Sequence, residues 1–103
     1  MFNKLIFMLL VTSIFSFSGE KVNFCPESNF VPDEETAIKI AEAVWIPIYG
    51  GEKIKNEKPI HAKLVGDSFW EVYGSLPKGC KGGVAEAKIS KSDGRIIYVC
   101  HGK

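Results

Sequence analysis

Residues 60–101 read IHAKLVGDSFWEVYGSLPKGCKGGVAEAKISKSDGRIIYVCH, and their spacing decides the fold class. From Ile60 onward apolar side chains recur at every second position, the period of a strand with one buried face. The segment divides into four expected strands at 60–65, 69–76, 83–91 and 95–101. The breaks are turn chemistry: Gly66-Asp67, Pro77-Lys78-Gly79 with Gly82-Gly83, and Ser92-Asp93-Gly94. A three-residue loop with Gly94 in the left-handed conformation pairs Lys91 with Arg95, Ile89 with Ile97 and Ala87 with Val99. A similar loop at Gly66–Ser68 points Ile60, Ala62, Leu64, Trp70, Val72 and Leu76 inward. It points His61, Lys63, Phe69, Glu71 and Tyr73 outward, since a strand alternates its faces.

Upstream the period is 3.6. Ala37, Ile40, Ala41, Val44, Trp45 and Ile48 form one stripe of a helix, with Lys39 and Glu42 facing away. Asp33 is a suitable N-cap, and Glu34 and Glu35 fall in the first turn, where the helix dipole favours negative charge. Pro47 is expected to end or kink the helix near Ile46. Gly50-Gly51 marks a turn, and Glu52–Glu57 makes a further short helical turn before Pro59. One amphipathic helix lying on a four-stranded antiparallel meander is an α+β sandwich with a single core.

Residues 1–18 carry Lys4 as their only charge, followed by the apolar run Leu5–Phe17. Ser16 and Ser18 stand at the third and first positions before a cut, so the segment reads as a secretory signal cleaved after Ser18. The 13-residue run is too short to span a bilayer, which needs about 20 apolar residues, and no stable membrane insertion is expected after cleavage. Residues 19–31, with Val22, Phe24, Pro26 and Phe30, read as an extended lead-in to a domain at 32–103. The expected location is periplasmic or extracellular.

The whole chain has 103 residues, 13 Lys+Arg and 12 Asp+Glu, which excludes large catalytic scaffolds and gives no case for nucleic-acid binding. Without residues 1–18 the net charge is zero, but unevenly placed: −4 over residues 19–57 and +4 over 58–103. Export permits disulfides. Cys25, Cys80 and Cys100 allow one bridge, and Cys80–Cys100 is favoured because both belong to one end of the sheet; bridges to Cys25 stay open. The cysteine spacings match no zinc pattern, and His61 and His101 lie 40 residues apart, so no metal or other cofactor is expected.

Nor does the sequence offer a catalytic constellation. Cys100 and His101 are neighbours on a strand and point to opposite faces. Glu71 and Glu86 across adjacent strands are better read as salt-bridge partners of Lys63 or Lys88. Gly79-Cys80-Lys81-Gly82-Gly83 lacks the ending and following helix of a phosphate cradle. The outer sheet face remains: Phe69, Tyr73, Tyr98, Ile96, His61, Glu71, Glu86 and Lys88. Aromatics interleaved with charge form a candidate protein-binding patch centred on Phe69, Glu71, Tyr73, Tyr98, Lys88 and His61. The alternative is that the lead-in, or a second copy in a homodimer, covers that face.

Three blocks carry a family likeness: Pro32–Gly50 (PDEETAIKIAEAVWIPIYG), Lys55–Gly74 (KNEKPIHAKLVGDSFWEVYG) and Leu76–Lys103 (LPKGCKGGVAEAKISKSDGRIIYVCHGK). Together they resemble the immunity proteins of bacterial polymorphic toxin systems, which have a nuclear-transport-factor-two-like (cystatin-like) fold. The resemblance implies a helix on a curved sheet and a small non-enzymatic protein that binds and neutralises a cognate toxin. It implies no particular toxin-contacting residue. The helix, the Trp-Glu-Val strand and the Ser-Asp-Gly hairpin also look like a PepSY-type module, which restrains exported peptidases. A small periplasmic ligand-binding domain is the third reading.

Overall fold

Asp33 sets the start of the first helix. In the computed structural model, which describes residues 23–103, its carboxylate accepts the Thr36 N–H at 2.9 Å. Helix α1 then runs Glu34–Tyr49 and α2 Gly51–Lys55; the strands are β1 His61–Val65, β2 Phe69–Tyr73, β3 Ala85–Ser90 and β4 Ile96–His101. The signal-peptide expectation and Val22 lie outside the described residues. The four strands pair antiparallel in the order β1-β2-β3-β4, the expected meander. No helix among the described residues is long and apolar enough to cross a membrane.

The bond from Thr36 holds the Asp33 carboxyl below its ordinary value of 3.8. A lowered folded-state value means that the interaction stabilises above the unfolded pKa and is lost as pH falls through the folded one. Asp33→Asn retains a capping oxygen but does not titrate. The variant is therefore expected to lose less stability than the parent between pH 5 and about pH 2, read by urea unfolding at each pH.

Ala37, Ala41 and Trp45 form the fully buried line of α1, spaced by four residues. They pack with Ile54, Trp70, Val72, Ala85, Ala87 and Ile89 in one core. Both tryptophans also fasten the backbone. Trp45 Nε1 donates to the Glu86 carbonyl (3.2 Å) and Trp70 Nε1 to the Val31 carbonyl (2.9 Å). Val31 is itself buried, and Phe30 and Val31 donate their N–H groups to the carbonyls of Ser92 and Lys91. The end of the lead-in is thus tied to the β3–β4 hairpin, while Phe24 stays exposed and does not cover the outer sheet face.

Four expectations need correction. Pro47 does not stop α1, which continues to Tyr49 before Gly50 N–H closes on the Ile46 carbonyl at 2.8 Å. The bond that Pro47 cannot make is on the exposed side: Ala43, four residues back, is exposed, so the carbonyl left without a donor is not shut away in the core. The last turn also exposes Ile48 rather than adding it to the buried stripe.

The β3–β4 register is the second correction. Ala87 pairs with Val99 as expected, but Ile89 pairs with Ile96, and a bulge separates the two registers. Ser90 N–H donates to the Arg95 carbonyl and Gly94 N–H to the Ser90 carbonyl, so the connection has four residues, 91–94, not three. Gly94 does take positive φ (+77°). Ile97 absorbs the extra residue and is exposed instead of inward. Leu76, also expected inward, is exposed beyond the end of β2; Leu64 keeps its expected place opposite Trp70 on the inner face and is part-exposed because β1 is an edge strand.

Finally, no bridge joins Cys80 to Cys100; all three cysteines are exposed free thiols. Cys100 points to the outer face, with Sγ 3.9 Å from Glu86 Oε1. Cys80 lies in the 77–83 loop on the helical side, around a hollow it shares with Lys53, Asn56 and Glu57. The two belong to opposite faces of the sheet, whereas a disulfide needs Cβ atoms about 4 Å apart.

Candidate functional site

Strand alternation and register lay the outer face out in rows. His61, Tyr73, Glu86 and Cys100 are successive cross-strand partners from β1 to β4. The next row is Lys63, Glu71, Lys88 and Tyr98. Phe69 lies beyond Glu71 at the hairpin end. All six residues singled out from the sequence therefore share one face.

Their contacts bind them to one another. The His61 and Tyr73 rings lie 5.4 Å apart, tilted 31°, and His61 Nε2 is 3.0 Å from Ser75 Oγ. Lys63 Nζ faces Glu71 Oε1 at 3.9 Å. The Lys88 ammonium lies over two rings, 5.2 Å from the centre of Phe69 and 5.3 Å from that of Tyr98, at cation–π distance. Tyr98 O–H donates to Glu86 Oε1 at 3.0 Å. That bond to a carboxylate, with Cys100 alongside, pushes the phenol up to about 12, so Tyr98 remains a neutral donor throughout the physiological range.

A groove of about 200 Å³ opens among Glu71, Tyr73, Val84, Glu86, Lys88 and Tyr98. Tyr73 is 39% and Tyr98 42% exposed, so two large amphipathic rings flank it in the single chain. Such rings supply contact area at low conformational cost, which is why tyrosine is enriched in protein interfaces.

A second polar cluster escaped sequence reading. Glu57, just beyond α2, is only 3% exposed. Its Oε1 accepts the Ala85 N–H (2.8 Å) and its Oε2 meets His101 Nε2 at 2.7 Å. His101 Nδ1 lies 2.6 Å from the Gly102 carbonyl, and the ring packs 5.1 Å from Tyr49. Both ring nitrogens thus lie against oxygen atoms. Gly74 is small for this carboxylate: a Cβ there would come within 2.6 Å of Glu57 Oε1. The glycine opposite an acid 17 residues earlier was the one sequence signal, and its meaning depends on the fold. The cluster joins α2 and the starts and ends of three strands on the helical side, away from the groove.

Residues 36–103 match the family model described as NTF2 fold immunity protein, about two thirds of the chain. The chain belongs to that family. As an NTF2 fold immunity protein it has the helices followed by a four-stranded antiparallel sheet that the sequence resemblance implied. The match spans the whole outer face and the Glu57–His101 pair. No curated protein and no solved structure matches the chain at a significant level. Among the described residues, no three His, Cys, Asp or Glu side chains gather closely enough to hold a metal ion.

Proposed function

We propose that this immunity protein acts without catalysis, by binding a cognate bacterial toxin through its outer sheet face and blocking the toxin at the cell envelope. Family membership over residues 36–103 carries the reading. The face supports it with aromatic side chains exposed around a shallow groove, and charges held by their neighbours before a partner arrives. The signal-like residues 1–18 argue for export to the periplasm or outside the cell, with cleavage near Ser18.

The test pairs the chain with the exported toxin encoded beside it. Co-expression is expected to protect cells, and the purified proteins to form a complex in titration calorimetry. Tyr73→Ala combined with Tyr98→Ala is expected to weaken that complex by roughly thirtyfold or more, the loss typical of central aromatic contacts. Both side chains lie outside the core, so circular dichroism should be unchanged. Unaltered affinity in the double variant would move the interface off this face, and absence of protection by the parent chain would remove the toxin reading altogether.

A further inference from the structure

Four charges occupy the middle of the outer face, and three are engaged there. Lys63 faces Glu71, and Lys88 lies over the rings of Phe69 and Tyr98 instead of against a carboxylate. Glu86 is the fourth. Its Oε1 takes the Tyr98 hydroxyl and has the Cys100 thiol 3.9 Å away. Among the described residues no Lys, Arg or His nitrogen lies within 4.0 Å of Glu86. It stands across from Tyr73 in the register and lines the groove. Among the described residues the groove therefore offers a carboxylate with no cation in direct contact, its nearest lysine, Lys88, being held over the rings of Phe69 and Tyr98, beside the exposed ring of Tyr73.

We propose that this groove seats an arginine side chain of the bound toxin, its guanidinium stacked on Tyr73 and donating to Glu86. The proposal rests on the toxin-binding reading above and names the chemistry of the anchor. A guanidinium suits the place better than an ammonium. It is planar, stacks on an aromatic face, loses its water more readily, and brings several donors to a carboxylate that already has one oxygen engaged. Tyr98 prepares the site: by donating to Oε1 it fixes the carboxylate, so less side-chain freedom is lost on binding. A second copy of this chain is the competing source, since Arg95 is its one arginine; that residue lies at the hairpin end, 3.6 Å from Asp93.

The site can be tested without the toxin. N-acetylarginine amide, titrated at low ionic strength into the isotope-labelled chain, is expected to shift the resonances of Tyr73, Glu86 and Tyr98. The neutral isostere N-acetylcitrulline amide, and the arginine probe with Glu86→Gln, are each expected to bind about two- to fivefold more weakly. Equal shifts with the two probes, or no shift at these residues, would overturn the site. Glu86→Gln preserves the carbonyl used by Trp45 and an oxygen for Tyr98, so it should fold. In the toxin complex the same substitution is expected to weaken binding by at least about thirtyfold. An affinity within threefold of the parent overturns the anchor while leaving toxin binding intact. A parent chain that binds no toxin counts against the proposed function, and the arginine titration then decides the site alone. Self-association lost on Arg95→Lys would assign the groove to a second copy and overturn the toxin as its source.

Discussion

Trp45→Ala is expected to lower the unfolding free energy by about 3–5 kcal/mol, the range for removing a large buried aromatic side chain. Trp45 is completely buried beneath β3, so the cavity has no solvent side from which to collapse. The substitution also leaves the Glu86 carbonyl without its indole donor. For a domain of this size each kcal/mol moves the thermal midpoint by several degrees, so a fall of roughly 15–30 °C is expected in a calorimetric scan. Trp45→Phe separates the two contributions. It retains most of the ring volume and loses the hydrogen bond, so it should cost about 1–2 kcal/mol. Equal losses in the two variants would show that the bond, rather than the packing, holds α1 to the sheet.

Breaking the Glu57–His101 pair is the second large effect. His101→Ala is expected to cost about 3 kcal/mol or more, because a carboxylate almost entirely removed from water loses its partner. Glu57→Ala should cost a similar amount, through the abandoned imidazole and the unpaired Ala85 N–H. Removing both leaves less unpaired charge than either single change implies. The double variant should therefore be clearly more stable than the sum of the singles predicts, by 1 kcal/mol or more in urea unfolding. Additive losses would mean that the two side chains stabilise independently.

The second of these experiments addresses a part of the molecule that was hard to read from its residues. Strand alternation depends on local pattern, and it placed Phe69, Glu71, Tyr73, Lys88 and Tyr98 on one face because each hydrophobic neighbour needed the other. The Asp33 cap and the turn at Gly66–Ser68 were legible for the same reason. Glu57 was not. It resembled any acid at the end of a short charged helix, and its partners Ala85 and His101 lie 28 and 44 residues away. The bulge at Ile97 was hidden because Ser90 pairs with Arg95 across a four-residue connection, one residue longer than the three-residue loop, and Phe30 and Val31 bond its carbonyls from outside the hairpin. Of the two outcomes expected of Pro47, an end or a kink, the run of α1 to Tyr49 excludes the first. The charges of the groove are intermediate. Lys88 was visible as an outward residue, but its place over two rings rather than beside Glu86 required the structure.

Trp45 holds the helix to β3 through the carbonyl of Glu86, and a carbonyl is the same in every amino acid. At position 86 the scaffold thus uses the backbone, and the outer surface uses the side chain. The same residue can be exchanged for another without loosening the helix beneath it. If the face binds a toxin as proposed, position 86 can change with that toxin while the bond fastening the helix beneath it stays in place.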